Sequence, residues 1–482
     1  MDPAAAASLT GSIPPPYPTA AINGAAYCIN PALFVSLQPP SRPPSVPTAA
    51  EAVRRRQVEE DAAIRLVHLL VTCTGAIQAG DYTGAHGNLA EARAILTVIA
   101  PSTGIGRVAN HFTDALAQRL FPAYPHSAPP PPPPAAPAKL YSQFYDASPY
   151  LKFAYFTANQ AILDAFEGCD SVHVVDFALM QGLQWPTLIH ALSQREGGPP
   201  RLRVTGIGPH PTGAGDELRE VGFRLGEFAR YLNVPFSFER VCADQLDGLS
   251  KYWLKIIPGE ALAINSILQL HRLLVDPDAD PAVPAPIDIL LDLVTELQPT
   301  VFTVVEQEGD HNKSPLLERF TNALFYYAAM FDSMGGEGNH AGGGGATNLL
   351  AEAYLRAEIF DIVCGEGSAR TERHELLGRW RERLTRAGLA QVPFGLNEAR
   401  LATAQLVHAT SFTGSGYDIL ECDGSLALAW HDRPLYVATA WRAAGGSIVG
   451  AVAGTEGRNY GRRRKARNGS RGSNSFGNLA LA

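Results

Sequence analysis

The chain has 482 residues, of which 46% are hydrophobic and 18% are charged, and its formal net charge is −8. A chain of this length can fill one large core or two ordinary domains, with some segments left outside them. The acidic balance gives no global positive field that would hold a phosphate backbone, so composition argues against direct DNA binding.

Residues 1–55 are predicted to form a disordered amino terminus. They are rich in Ala, Pro and Ser, include "PPPYP" and "QPPSRPPS", and carry almost no charge before Glu51. Such a segment cannot bury enough apolar surface to offset its chain entropy. The main domain is therefore expected to occupy residues 56–445, with a basic, Gly-rich and Ser-rich disordered tail over 446–482.

A helical cap is predicted over residues 60–125. Its first helix runs from Asp61, the expected amino-terminal cap, to a stop at Gly80, and two further helices follow. "LVHLL" in the first helix fits the LxxLL form that enters grooves on transcriptional partners. The same pattern fits a helix packed into its own protein, and both interpretations stay open. The residues concerned are Leu66, Leu69 and Leu70.

A Pro-rich stretch over 127–138 predicts an extended spacer, and the core is expected over about 145–442. In the core, short β-rich runs alternate with amphipathic helices, which predicts a parallel sheet covered on both faces. The Gly-rich stretch 335–345 is predicted to be a loop insertion.

The sequence at the carboxyl end of the core predicts an antiparallel hairpin with a turn at Asp423-Gly424. The fold class is therefore α/β, a methyltransferase-like Rossmann core with an α-helical cap.

The first predicted strand, "VHVVD" over 172–176, is not followed by the glycines that a nucleotide or S-adenosylmethionine site needs. Phe177, Ala178, Leu179, Met180 and Gln181 come first, and we expect these side chains to fill the place of a cofactor. The second strand ends "TGIGPHP", without the acidic residue that takes ribose hydroxyls. The sequence therefore predicts no cofactor.

Four polar residues follow a later strand at the ligand edge of the sheet: Glu306, Glu308, Asp310 and His311. They could bind a metal or perform acid–base chemistry. The alternative is a loop of helix caps and solvated charges, which we favour. No GxSxG elbow and no Cys/His nucleophile pair appears, so no catalytic residues and no metal are predicted.

The spacing of the cysteines and the targeting signals indicate the cellular compartment in which the protein is expected. The six cysteines lie dozens of residues apart, with no CxxC pair, which predicts free thiols in a reducing compartment. No run of 18 or more apolar residues and no secretory signal appears, so no membrane association is expected. The arginine runs at 54–56 and 462–467 fit either nuclear import signals or solvated segments.

Taken in order, these stretches resemble the GRAS family of plant transcriptional regulators over about 61–442. "VHVVD" and "QGLQWP" resemble the VHIID region, "RTERHE" at 370–375 resembles the RVER element, and "LALAWHDRPLYVATAWR" resembles the SAW region. Residues 64–120 and 218–254 resemble the two leucine-rich regions, and 287–334 is similar to the PFYRE region. The sequence of these motifs is most similar to that of the DELLA subfamily, but the first sixty residues contain no DELLA or TVHYNP stretch.

The resemblance implies a nuclear co-regulator that is expected to repress gibberellin responses. Its expected partners are DNA-binding transcription factors and other transcriptional regulators, and homo- or hetero-dimers with GRAS proteins are a further expectation. It implies no sequence-specific DNA binding; the alternative is a small-molecule-binding or methyltransferase-like enzyme. Asp176 is expected to bond the turn after the strand, and Arg370, Glu372 and Arg373 to form an internal ion-pair network. The remaining motif residues are expected to be structural, with both C-terminal tryptophans as core anchors: Val172, His173, Gln181, Gly182, Trp185, Pro186, Trp430 and Trp441.

Overall fold

The computed structural model describes residues 49–99, 104–121, 136–211, 215–334, 344–395 and 416–444, with Arg400, Thr403 and Ala404. The unit that contains the sheet and the cap begins at Arg56. Most of the predicted amino-terminal segment, most of the spacer 127–138, most of the Gly-rich loop and the tail 446–482 lie outside the described residues.

The helices of the described part alternate with strands through the middle of the chain. They are α1 Ala49–Ala79, α2 Tyr82–Leu96, α3 Gly104–Leu120, α4 Ala136–Ala147, α5 Tyr150–Ala165, α6 Trp185–Ser193, α7 Glu217–Tyr231, α8 Lys251–Leu254, α9 Pro286–Leu297, α10 Leu316–Ser333, α11 Gly344–Cys364 and α12 Leu377–Arg386.

Three predicted boundaries were wrong. The first helix does not begin at Asp61: it begins at Ala49, and the Asp61 carboxylate accepts a hydrogen bond from the Gln57 side chain within the helix. The predicted disordered segment 1–55 is accordingly wrong from residue 49 on. The Pro-rich spacer ends earlier than predicted, because α4 begins at Ala136. The predicted stop at Gly80 is confirmed, since this residue has a φ of +78° that glycine tolerates.

The strands form one mixed sheet. They are β1 Ser171–Asp176, β2 Arg201–Gly208, β3 Phe236–Cys242, β4 Ala261–Ile267, β5 Val301–Gln307, β6 Leu389–Val392, β7 Tyr417–Cys422, β8 Ser425–Trp430 and β9 Arg433–Ala443. Their order is β3-β2-β1-β4-β5-β9-β8-β7, and β6 pairs with β9. The first five strands are parallel and the pairings of β6 to β9 are antiparallel. The predicted α/β fold class is confirmed.

Two tight turns build the antiparallel end. Asp423 and Gly424 connect β7 to β8 with φ values of +47° and +79°, and His431 and Asp432 connect β8 to β9 with φ values of +46° and +63°. Two consecutive residues with positive φ match the twist of antiparallel strands. The predicted Asp423-Gly424 turn is therefore confirmed, and the second turn forms without glycine.

The cap is not made from residues 60–125 alone. Helix α3 contacts α2, and also α10 and α11 from the second half of the chain. The Phe112 and Phe320 rings meet edge to face with centroids 5.2 Å apart, and Arg119 donates to the Val363 carbonyl at 2.7 Å. This packing joins the amino-terminal helices to the core.

One stretch of α1, Gln57–Ala79, is long and apolar enough to cross a membrane by length and composition alone. Leu66, Leu70 and Cys73 within it are fully buried in the main core, and Arg65 pairs with Glu91 of α2. These contacts tie one face of the stretch to its own domain, and 22% of its most apolar window is buried.

Candidate functional site: the carboxyl edge of the parallel sheet

Ligands of open α/β sheets bind outside the carboxyl ends of the strands, at the point where the strand order reverses. Here that switch point lies between β1 and β4, which are neighbours in the sheet although β2 and β3 follow β1 along the chain. Asp176 ends β1, and Asn265 lies opposite it in β4. The side chains at these ends decide what can bind there.

A network of buried side chains occupies the switch point. Asp176 accepts hydrogen bonds from the Trp185 indole at 2.9 Å, from the Asn265 amide at 3.3 Å and from the Ala178 N–H at 3.2 Å. Asn265 donates to Gln184 at 3.0 Å, and Gln184 donates to Asn159 at 3.0 Å. We call Asn159, Asp176, Gln184, Trp185 and Asn265 the switch-point network. Its polar groups form hydrogen bonds with one another.

The loop after β1 also folds over the end of β2. The Leu179 N–H donates to the Ile207 carbonyl at 3.1 Å, and a Cβ on Gly206 would lie 2.5 Å from the Leu179 side chain. Phe177 packs on the other face of the sheet, where its ring meets Phe302. Met180 is 39% exposed. The expected crowding is thus confirmed for Leu179, and it is wrong for Phe177, which packs on the other face, and for Met180, which is exposed.

Burial raises the pKa of the Asp176 carboxyl to about 6, although its three hydrogen-bond donors oppose the shift. The expected bond to the turn after the strand is confirmed, since the Ala178 N–H belongs to that turn. Trp185 begins α6 and is fully buried, and Pro186 occupies the first turn of the helix, as predicted.

Gly182 permits close packing of the loop against α7. Its φ is +69°, and a Cβ there would lie 2.6 Å from Val221 of α7. Val172 is fully buried, and Gln181 is half-buried. Of these three motif residues, Gly182 is the one whose close contact positions the loop.

Gly182→Ala is expected to lower the free energy of unfolding by about 2–4 kcal/mol, because it combines backbone strain with overpacking. Gly168→Ala is the matched control, since Gly168 has a φ of +71° but open space around its Cα. Gly168→Ala should lower the free energy of unfolding by about 1 kcal/mol. Urea unfolding of both variants measures the difference, and equal losses would show that contact with Val221 does not matter.

His173 is fully buried in β1, where its Nε2 lies 2.8 Å from the Thr205 hydroxyl. Burial, assisted by the charge of Arg203, lowers the pKa of His173 to about 3. The pKa of a histidine in an unfolded chain is about 6.5. Below that pH the unfolded chain therefore binds a proton at this residue, whereas the folded chain does not. Stability from this group is therefore present above pH 6.5 and is lost as the pH falls towards 3.

We expect His173 to lower the free energy of unfolding by about 1.4 kcal/mol for each pH unit below 6.5. The measurement is urea unfolding of the wild type and of His173→Gln from pH 7 to pH 5. The free energy of unfolding of the variant should fall less steeply with decreasing pH, by the equivalent of about one proton, or about 1.4 kcal/mol per pH unit. Parallel slopes would contradict a neutral, buried His173.

A second group of polar side chains lies at the ends of β4 and β5. His271, just after β4, contacts Glu306 of β5 through Nδ1 at 2.6 Å and Glu372 through Nε2 at 2.8 Å. The His374 ring stacks on His271 with centroids 4.4 Å apart. All four residues are buried, and we call them the histidine–carboxylate cluster.

The charges of the cluster shift one another. Burial lowers the pKa of His271, but the carboxylates of Glu306 and Glu372 outweigh it and raise that pKa to about 10. Burial opposes ionisation of Glu372, yet Arg272 and His271 hold its pKa well below the usual range. Burial keeps the pKa of His374 far below its usual value. His271 is therefore an imidazolium between two carboxylates, with a neutral His374 beside it.

The predicted ion-pair network of the "RTERHE" segment is confirmed in two parts. Arg370 and Arg373 face Asp276, at 3.2 Å and 3.7 Å, while Glu372 points to the other side and pairs with His271 and Arg272. Of the four residues weighed for metal or acid–base chemistry, only Glu306 is a member of the histidine–carboxylate cluster.

The other three residues weighed for that chemistry have separate contacts. Glu308 accepts from the Leu377 N–H at 2.8 Å and so caps α12, and Asp310 pairs with Lys313 at 3.1 Å. His311 contacts His374 through Nδ1 at 3.0 Å. The interpretation as helix caps and charges therefore holds for Glu308 and Asp310. No self-consistent nucleophile and base are brought together among these residues.

The two remaining predictions concern the ends of the domain. Leu66 and Leu70 are fully buried and Leu69 is half-buried in the chain's own core, so the partner-groove interpretation of LxxLL is wrong for the folded chain. Trp441 is fully buried, and Trp430 is 8% exposed with its indole N–H donating to Asp332 at 2.8 Å. Both tryptophans anchor the antiparallel end, as predicted.

Residues 66–442 match the model of the GRAS domain family. The chain belongs to the GRAS family. This GRAS protein is 57% identical over 443 residues to Protein SLENDER RICE1-LIKE 2 of Oryza sativa subsp. japonica, covering 90% of this chain and 88% of that protein. It is 40% identical over 402 residues to DELLA protein DWARF8 of Zea mays, covering 80% of this chain and 62% of DWARF8.

A GRAS crystal structure, that of SCL7 in Oryza sativa, superposes with a TM-score of 0.65 at 32% identity. The match covers 78% of this chain and 99% of SCL7. The family resemblance and the fold class predicted from the motifs are confirmed. The VHIID-like stretch is thus the strand and loop that close the switch point.

Proposed function

We propose that this GRAS protein is a nuclear transcriptional co-regulator that binds DNA-binding transcription factors and represses gibberellin responses. Its relation to SLENDER RICE1-LIKE and DELLA proteins supports the proposal. One structural observation carries it: the switch-point network and Leu179 fill the place where a Rossmann enzyme holds its cofactor. A Rossmann-like domain whose cofactor position is filled by its own side chains is better suited to binding proteins on its surface than to cofactor chemistry.

The partner surface that we propose is the outer face of the cap. Val58 and Ile64 of α1 are 59% and 60% exposed, and Tyr82 at the start of α2 is 65% exposed. Large exposed apolar side chains are typical of protein-binding surfaces. The second leucine-rich region adds Phe223 and Tyr231 on α7, which are 69% and 81% exposed.

Co-purification of the full chain from plant nuclei tests this function. We expect transcription factors to co-purify with the wild type and to be lost from a Val58→Glu, Ile64→Glu double variant. Val283→Glu is the matched control, because Val283 is 67% exposed in the loop before α9. Retention of the same partners by the double variant would contradict the proposed surface, and the absence of any transcription factor would contradict the function.

We propose further that the hormone does not trigger degradation of this protein. Its first sixty residues contain no DELLA or TVHYNP stretch. After gibberellin treatment the abundance of the full chain should stay constant while that of a DELLA protein in the same cells falls. Equal depletion of both proteins would contradict this part of the proposal.

The alternative of a small-molecule binder or methyltransferase-like enzyme would need a cleft at the carboxyl edge. A cavity of about 500 Å³ does open in the described part, but it lies at the starts of β1, β2, β3 and β4, the opposite edge of the sheet. It is lined by Arg201, Arg203 and Glu260 among others, with Arg203 paired to Glu260. Nothing in its position favours the cofactor chemistry of the fold.

A further inference from the structure

The histidine–carboxylate cluster contains three ligand atoms that converge. The Nε2 of His271 lies 2.8 Å from Oε2 of Glu372, and the Nε2 of His374 lies 3.4 Å from that same oxygen. All three atoms lie within 4.8 Å of one another. Zinc binds nitrogen and oxygen ligands at roughly 2.0–2.2 Å, which places tetrahedral neighbours roughly 3.3–3.6 Å apart. The distances of 2.8 Å and 3.4 Å to the Glu372 oxygen bracket that spacing.

The residues behind these atoms suit a metal site. Ligating histidines usually donate their second ring N–H to a carboxylate or another acceptor, which fixes the tautomer. Glu306 accepts from Nδ1 of His271 at 2.6 Å, and Nδ1 of His311 faces Nδ1 of His374 at 3.0 Å. Both histidines are thereby oriented with Nε2 towards Glu372.

One ligand atom is buried without a partner. His374 is fully buried, and its Nε2 makes no hydrogen bond. A neutral imidazole nitrogen shielded from water in this way costs free energy unless something binds it. The atom points towards Glu372, where a cation would lie.

Metal binding would displace a proton from the cluster. Without an ion, Nε2 of His271 donates to Glu372 at 2.8 Å, and Nδ1 contacts Glu306 at 2.6 Å. A divalent ion bound to Nε2 of His271 releases that proton and stays beside the buried carboxylates of Glu306 and Glu372. The exchange of one proton for a divalent ion adds one positive charge next to these two carboxylates.

We propose that His271, Glu372 and His374 bind a divalent transition metal, with zinc the best chemical match, and with a water molecule as the fourth ligand. Imidazole and carboxylate ligands without a thiolate suit zinc among the metals common in cells. Since the ligands are buried, the ion has a structural role. It links the segment after β4 to the segment that precedes α12, two parts of the chain about a hundred residues apart.

The test is the zinc content of the purified full chain, measured by elemental analysis after dialysis against zinc sulfate and then against buffer. We expect about one zinc ion per chain for the wild type and for His210→Gln, whose side chain is 62% exposed. His374→Gln should retain none. Retention of no zinc by the wild type, or of equal zinc by His374→Gln, would overturn the proposal.

Two further measurements keep the test decisive if His374→Gln fails to fold. Glu306→Gln leaves the three ligands in place and should weaken zinc binding by about 10–100-fold. Cobalt substituted into the wild type should give a spectrum of nitrogen and oxygen ligands. Thiolate charge-transfer bands would place the ion at a cysteine and overturn the proposal, as would unchanged zinc affinity in Glu306→Gln.

Discussion

Glu372→Ala should lower the free energy of unfolding by about 3–5 kcal/mol, the largest loss that we expect from one charged residue of this chain. In the chain without a bound ion, the substitution leaves the buried His271 imidazolium with one carboxylate instead of two and removes the partner of Arg272. A buried charge deprived of its partner is costly because water cannot replace it. Urea unfolding followed by circular dichroism at pH 7 gives the value.

Glu296→Ala is the matched control for Glu372. Glu296 also pairs with a cation, Lys251, but both side chains are largely exposed. Water and salt screen such a pair, so its loss should leave stability nearly unchanged. Similar losses in both variants would show that Glu372 is not part of a buried network.

Trp185→Ala should lower the free energy of unfolding by about 3–5 kcal/mol. The indole is fully buried at the start of α6, and its N–H donates to Asp176. Removing it opens a cavity and takes one of three donors from a carboxylate whose pKa burial has already raised to about 6. The same unfolding experiment measures this loss.

Trp253→Ala provides the comparison, since Trp253 is 49% exposed in α8. It should cost much less than Trp185→Ala. If Trp185→Ala unfolds at the same urea concentration as the wild type, the indole does not hold the switch-point network together.

Much of the fold could be predicted from local patterns. The alternation of "SVHVVDF" and later β-rich runs with amphipathic helices predicted the parallel strands, and Asp423-Gly424 predicted a tight turn. Other features lacked such signals. β6 has only four residues, Leu389–Val392, too few for a period to be visible. Asp61 resembled a helix cap, but a helix can continue through an aspartate whose side chain bonds within the helix.

The site was predicted less completely. Asp176, Trp185 and Glu372 were identified by their motifs, but His271 was missed, although it follows β4 at the ligand edge of the sheet. The signal that could have found it is its position after a buried strand, parallel to the position of Glu306 at the end of β5. Its bond to Glu372 spans 101 positions, and no local pattern encodes a contact of that range.

Calorimetric titration of S-adenosylmethionine into the folded full chain tests most directly whether the switch point is closed to a cofactor. We expect no saturable heat and no rise in thermal stability, because Leu179 and the switch-point network occupy the place of the cofactor. Stoichiometric binding with a matching rise in thermal stability would contradict a closed switch point and would support the alternative of a methyltransferase-like enzyme.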